Sequence, residues 1–327
     1  MSTIVTGIEQ EWSLDEHRRE LVGYCYRMLG SAFDAEDAVQ ETMVRAWRAR
    51  DRFEGRSTLR SWLYRIATNV CMDTLSSRNR RARPMDMSTS AWQPVEASLA
   101  ARQPEESWME PILDAQVLPV VADPADVAVG RESIRLAFVA ALQHLPPRQR
   151  AVLILRDVLR WKADEVATLL ETSTASVNSA LQRARATLDT RGATSEEAYD
   201  PLDEAQRELL AQYVEAFESY DVDRFVALLH QDATQNMPPY EMWLEGPEAI
   251  GAWMLGVGIG CRGSRLLPTV ANGAPAFAQY RASGPDGRHE PWALQVVEVA
   301  DGQVMAITSF LDTRLFALLG LPAHPDG

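Results

Sequence analysis

The stretch Asp34-Ala-Glu-Asp37-Ala-Val-Gln40-Glu41-Thr-Met-Val-Arg45-Ala-Trp47 is the most informative in the chain. Ala35, Ala38, Val39, Thr42, Met43, Ala46 and Trp47 recur at helical steps and predict one apolar stripe. Asp34 reads as the N-cap, with Asp37 in an acidic first turn that suits the helix dipole. The opposite face carries Asp37, Gln40, Glu41, Arg45 and Arg48. Upstream, Leu21, Cys25, Met28 and Leu29 mark another helix, closed by Gly30-Ser31. Downstream, a third helix starts near Ser57 with Leu59, Leu63, Ile66 and Val70 inward. Its other side shows Trp62, Arg65 and Asn69, and it runs out into Ser76-Ser77-Arg78-Asn79-Arg80-Arg81. Residues 10–83 thus read as one all-helical unit.

Residues 84–130 hold six prolines and eight acids against one arginine, which predicts an extended acidic linker with no core of its own. Trp92 and Trp108 are unexpected in a passive tether and suggest docking on a neighbour. Residues 131–192 return to helical periodicity. After Leu145-Pro146-Pro147, Val152, Leu155 and Leu159 face inward, then Val166, Leu169 and Leu170, and after Glu171-Thr172-Ser173, Val177, Leu181, Ala184 and Leu188. The last helix offers Ser176, Asn178, Ser179, Gln182, Arg183 and Arg185 on its outer face, a helix-turn-helix pattern. Helix-turn-helix units often place Gly in the turn; Glu171 stands there, in a turn expected to avoid a left-handed residue. From residue 200 to 327 the character becomes α+β. Leu209, Leu210, Tyr213, Val214 and Phe217, followed by Phe225, Leu228 and Leu229, read as helical. Strand-like runs follow at 277–281, 292–299 and 304–311, with Asp301-Gly302 as a hairpin turn, predicting helices on an antiparallel sheet in a small cup.

A chain of 327 residues, 46% hydrophobic, supports two or three cores. It shows no transmembrane-length apolar run and no signal peptide, so a soluble, cytoplasmic protein is expected. Three scattered cysteines argue against a disulfide scaffold or zinc site, and no cofactor motif is present. The net charge of −14 disfavours nucleic acid until it is divided. Residues 1–95 carry +1, 96–130 carry −6, 131–192 carry +4 and 193–327 carry −13. Two basic surfaces are thus joined by an acidic strap, with an acidic domain behind.

Together the motifs resemble the sigma-70 family of transcription initiation factors. Asp34–Trp47 is similar to the family's second region. Ser57-Thr-Leu-Arg60-Ser61-Trp62-Leu-Tyr64-Arg65-Ile-Ala-Thr-Asn69 is similar to the adjoining promoter-reading segment, and Leu145-Pro-Pro-Arg148-Gln-Arg150 with its helix-turn-helix to the fourth region. The size matches the extracytoplasmic-function type. The C-terminal third resembles the SnoaL-like cone through Asp232-Ala233-Thr234, Met237-Pro238-Pro239, Trp243…Gly246 and Phe310-Leu311-Asp312.

The resemblance implies two all-α domains plus an α+β cone, with core RNA polymerase and promoter DNA as partners. Asp37, Gln40, Glu41 and Arg45 would dock on the β′ clamp helices. Arg60, Ser61, Trp62, Arg65, Asn69, Arg78 and Arg80 would meet the −10 element, where unstacked bases need aromatic faces and arginines. Tyr64 suits the core equally well, and Arg81 and Arg83 read as further phosphate contacts or a solvated run. Ser176, Asn178, Ser179, Gln182, Arg183 and Arg185 would read −35 DNA. The cone would act on the other domains as an intramolecular regulator, its acidic charge screening or occupying their basic surfaces. Asp232, Tyr240, His289 and Asp312 are its pocket candidates, but no catalytic residue, metal or cofactor is expected. Two alternatives stay open at this point: a ligand-responsive helix-turn-helix regulator acting without polymerase, and a SnoaL-like isomerase or cyclase fused to a DNA-binding module.

Overall fold

In the computed structural model, residues 14–76, 80–88, 90–100, 102–119, 123–189, 199–200 and 203–325 are described. The first unit is α1 (Arg18–Leu29), α2 (Ala32–Ala49) and α3 (Leu59–Ser76). Gly30, at φ 72°, ends α1, a conformation free of Cβ strain only for glycine. The chain restarts immediately, because Ser31 Oγ accepts the Asp34 N–H at 3.1 Å. Ser31, rather than Asp34, is therefore the N-cap of α2. Asp34 is buried instead, and accepts from the buried Arg81 guanidinium at 2.7 and 3.2 Å. The α2 stripe is inward as far as Ala46, but Trp47 leaves it, 57% exposed, with the Arg50 guanidinium 4.1 Å from its ring centre. Neighbouring helical residues point 100° apart, so with Ala46 inward Trp47 turns out to solvent past the half-buried Met43.

The linker contains α4 (Pro84–Met87), α5 (Asp114–Val117) and α6 (Pro124–Glu132). It lends its apolar residues to its neighbours: Trp108, Met109, Ile112, Leu113, Val117 and Leu118 are all buried. The second unit is α7 (Leu136–Leu142), α8 (Pro147–Leu153) continued by a π-helical turn at Ile154–Val158, α9 (Ala163–Leu169) and α10 (Thr174–Asp189). Its expected inward residues are buried, with Leu159, Leu170 and Leu188 half-buried. Glu171, between α9 and α10, does adopt the left-handed region at φ 50°, contrary to expectation. The reason is the closing bond from Thr172 N–H to the Ala167 carbonyl at 2.9 Å, which requires such a residue at the helix end.

The third unit comprises α11 (Glu204–Ser219), α12 (Val222–Ala227), α13 (Gly246–Leu255), α14 (Arg314–Leu318) and six strands. These are β1 (Leu229–Asn236), β2 (Trp243–Glu245), β3 (Arg265–Ala271), β4 (Ala274–Arg281), β5 (Glu290–Ala300) and β6 (Gln303–Phe310), in the order β2-β1-β6-β5-β4-β3. The sheet is not purely antiparallel, since β1 runs parallel to β6. Leu229, which continued a helical pattern in sequence, begins β1. Two hairpins turn on pairs with positive φ: Asp301-Gly302 at 51° and 71°, and Asn272-Gly273 at 55° and 68°.

One sheet face packs on α11–α13 through Tyr213, Phe217, Phe225, Trp253, Phe277 and Ile307. The other face contributes Ala271, Ala274, Ala276, Leu294, Val296 and Phe310 to a core shared with both helical units and the linker. This two-sided packing explains why β4 is buried at every position before Arg281 and lacks polar alternation. Among the described residues, no helix is long and apolar enough to cross a membrane.

Candidate nucleic-acid interface

On α2, Asp37, Gln40, Glu41 and Arg45 fall on one face through their three- and four-residue spacing. Asp37, Gln40 and Arg45 are exposed and Glu41 is half-buried. Arg45 bridges Glu41 at 2.7 Å and Asp73 of α3 at 3.3 Å. The hydrogen bond that Arg45 donates to Glu41 is the main reason its guanidinium titrates higher than usual.

On α3, Thr58 receives the Ser61 N–H at 3.1 Å and bonds the Ser61 hydroxyl at 2.9 Å, fixing the start of the helix. Trp62 is half-buried against Phe53, with ring centres 5.1 Å apart, and Asn69 is exposed. Arg60 donates to Glu20 at 2.7 Å. Burial pulls the Arg60 guanidinium down, and Tyr64 and Glu20 together outweigh that and hold it up. The same guanidinium lies 5.1 Å from the Tyr64 ring centre and 5.2 Å from that of Trp161, which belongs to the second unit. Tyr64 is fully buried, its ring 5.0 Å from Trp161. Arg65 is paired with Glu171, the turn residue before α10. Arg80 contacts His144 at 2.7 Å, while Arg78 lies outside the described residues. Arg81 and Arg83 are not a free phosphate-binding run: Arg81 is buried on Asp34, and Arg83 pairs with Asp86 at 3.1 Å. The −10 candidates are thus partly covered by the helix-turn-helix unit.

On α10, Ser176, Asn178, Ser179, Gln182, Arg183 and Arg185 are all exposed, so the acidic cone does not sit on this face. Arg185 is held by both oxygens of Asp157, at 2.7 and 2.8 Å, which raises its pKa. No side-chain contact of this kind ties Arg183 among the described residues.

The units are clasped by buried polar groups outside the predicted sites. Asn272, at the β3–β4 tip, is 1% exposed. Its Nδ2 donates to Tyr26 OH at 2.6 Å and to the Ile134 carbonyl at 2.7 Å, and its Oδ1 accepts the Ile112 N–H at 3.1 Å. One side chain therefore joins the cone to α1, the linker and the approach to α7. Next to it, Gly273 N–H donates to Asp114 at 2.8 Å, and a Cβ on Gly273 would lie 2.7 Å from the Arg131 carbonyl oxygen. The Asn-Gly dipeptide was the available signal, as a type I′ turn. Two buried arginines, Arg27 and Arg150, also cross between units. Arg27 donates to Ser133 Oγ at 2.7 Å, and Arg150 donates to the Met28 carbonyl and to Gln143. Neither has a carboxylate partner among the described residues, and burial pulls both down to about 10.

Within the cone, the four pocket candidates do not converge. Asp232 is exposed on β1, and His289 is half-buried with Nε2 2.9 Å from the Gly263 carbonyl. Tyr240 and Asp312 do come together, but outside the cone, in a crevice between its rim and the linker. The interior instead holds a relay of buried neutral groups: Tyr213 OH to Gln295 at 2.8 Å, Gln295 to Gln279 at 2.9 Å, and Gln279 to Ser264 at 3.0 Å. Large side chains leave only about 40 Å³ free there. Among the described residues no cluster of acids, His or Cys could hold a metal ion.

Comparison with known proteins agrees with this arrangement. Residues 14–81 match the sigma-70 region 2 family, 135–188 match sigma-70 region 4, and 210–307 match the SnoaL-like domain. The chain is 47% identical to the ECF RNA polymerase sigma factor SigG of Mycobacterium tuberculosis, over 94% of this chain and 82% of that protein. It is 28% identical to SigJ of the same organism, over 89% and 88% of the respective chains. The crystal structure of SigJ superposes with a TM-score of 0.58 at 25% identity, covering 95% of this chain and 98% of that one.

Proposed function

Because the chain belongs to the extracytoplasmic-function RNA polymerase sigma factors, which are transcription initiation factors rather than enzymes, we propose that three helix faces divide its work. Asp37, Gln40, Glu41 and Arg45 on α2 dock on the β′ clamp helices of core RNA polymerase, where a mixed-charge face sets register by polar pairing. Arg60, Ser61, Trp62, Arg65 and Asn69 on α3, with Arg78 and Arg80 beyond it, meet the −10 element. The outer face of α10 reads the −35 element in the major groove. The work is done in the cytoplasm, with the transcription machinery.

The same reading makes the conformation described above a resting state held by the C-terminal domain. The observation that carries it is the Arg65–Glu171 pair, which sets the −10 face beside the turn leading into the −35 helix. Elements named −10 and −35 are about 25 base pairs apart, or roughly 80 Å along B-DNA. A compact chain of this length has a radius of gyration of about 20 Å, and so a breadth of roughly 50 Å. Two readers in contact cannot serve both elements, so initiation requires them to separate. Since α10 is uncovered, the cone acts by clasping the units through Asn272 rather than by screening the recognition helix with acidic charge.

Fluorescence anisotropy with labelled full-length protein and core RNA polymerase tests the first assignment. The Asp37→Ala/Gln40→Ala double variant is expected to bind core at least tenfold more weakly than the parent. Unchanged affinity removes those residues from the polymerase face.

A further inference from the structure

The crevice that brings Tyr240 and Asp312 together has about 290 Å³ of free volume, at the small end of the roughly 300–1,000 Å³ typical of small-molecule sites. It is far roomier than the cone interior. One wall is the linker, with Trp108 and Met109; the other is the cone rim, with Phe310, Leu311 and Trp292. Backbone bonding fixes the walls together, as Gln103 N–H donates to the Pro239 carbonyl at 3.1 Å. The apolar lining thus includes aromatic rings from both bodies.

Its charged groups differ in whether they are engaged. Glu105 and Asp312 both pair with Arg314, Asp312 at 2.6 Å. Glu110 accepts from Ser31 and lies 3.8 Å from Arg81. Glu105 and Asp312 are therefore already compensated, and burial pushes the Glu110 carboxyl above its usual range despite Arg81 and Ser31. Arg102 is the exception: it is exposed, lines the crevice, and has no side-chain hydrogen bond or ion pair among the described residues. Tyr240 and Thr313 add hydroxyls to the same lining.

We propose that this crevice between linker and cone binds a small aromatic carboxylate, its ring against Trp292 and Phe310 and its carboxylate on Arg102. A planar anion suits the fork of a guanidinium, while an amine would meet only carboxylates that are already paired. Since both walls are needed, the ligand binds the clasped conformation and not the separated one. At a hundredfold above its Kd it multiplies the clasped-to-open ratio about a hundredfold, and so represses. That consequence rests on the resting-state reading above; the binding itself does not.

The test uses 2-naphthoate as probe and the neutral 2-naphthamide as its match, with full-length protein in equilibrium dialysis. The expected result is saturable 2-naphthoate binding, at least tenfold tighter than the amide, with the preference lost in Arg102→Ala and all binding weakened in Tyr240→Ala. Absence of saturable binding, equal binding of acid and amide, or naphthoate binding unaffected by Arg102→Ala would each overturn the proposal. Dialysis and promoter-directed transcription read different things. Arg102-dependent binding without repression refutes the resting-state link and leaves the site standing.

Discussion

Replacing Asn272 with alanine tests the clasp where its energy is most concentrated. The substitution removes three buried side-chain hydrogen bonds, to Tyr26, Ile112 and Ile134. Each is worth about 0.5–1.5 kcal/mol net, and orphaned backbone partners left buried add to the loss. Alanine at φ 55° costs roughly 1 kcal/mol more, because Asn tolerates the left-handed region better than a residue with a bare Cβ. The strain falls on the hairpin in either state, so docking loses only the hydrogen-bond part, about 2–4 kcal/mol, or roughly one and a half to three orders of magnitude in the clasped-to-open ratio. All three partners lie outside the cone, so the loss falls on docking and not on the fold of the sheet. Gly302→Ala is the matched control: it strains the other hairpin tip, at φ 71°, where no neighbour lies within 4 Å. Small-angle X-ray scattering and limited trypsinolysis report the outcome. The Asn272 variant is expected to expand by several ångströms in radius of gyration and to become cleavable at Arg81, which is 7% exposed in the clasped form. Gly302→Ala should remain compact and protected. An Asn272 variant as compact and protease-resistant as the parent would show that Asn272 does not hold the units together.

Outcomes for substitutions at four positions follow from the interface geometry. Arg183→Ala should weaken −35 recognition by about 1–3 kcal/mol, measured by electrophoretic mobility shift on promoter DNA. Arg185→Ala should cost less, because Arg185 must first leave Asp157, and equal losses would contradict that ordering. Glu171→Gly should raise the melting temperature by a few degrees, since glycine relieves about 1 kcal/mol of left-handed strain while an exposed pair to Arg65 contributes little; Glu171→Gln should give no such gain. Arg65→Ala should reduce transcription from promoters with intact −10 elements without changing core affinity, and unchanged transcription would remove Arg65 from the −10 face.

Helical periodicity carried most of the architecture, because each helical unit buries a stripe three or four residues wide and the turns at Gly30 and Leu145-Pro146-Pro147 punctuate it. The sheet was half legible. The long strands β4–β6 showed through their β-branched and aromatic runs, whereas β1 begins inside a pattern that fits a helix equally well, and β2 is too short to carry a period. Asp34 illustrates a different limit. Its residue type suits an N-cap, and only the position of Arg81, 47 residues away, decides that it is a buried ion-pair partner. The exposed faces of α2, α3 and α10 could be read as surfaces, but which of them another domain covers depends on contacts between units. Those contacts run through Asn272, Arg27 and Arg150, single polar residues with no spacing to announce them. The pocket candidates were chosen by chemical type; Asp232, the one of the four that lies on a strand, is exposed because strand position, not type, decides which way a side chain points.

The protein proposed above is a polymerase-dependent initiation factor that its own C-terminal domain keeps closed. Run-off transcription by purified core RNA polymerase on a pooled library of genomic promoter fragments, comparing the full chain with its Asn272→Ala variant, tests it most directly. Selective initiation at one set of promoters by both proteins, with at least tenfold more product from the variant, is the predicted result. No selective initiation by either protein, or equal output from both, would contradict it.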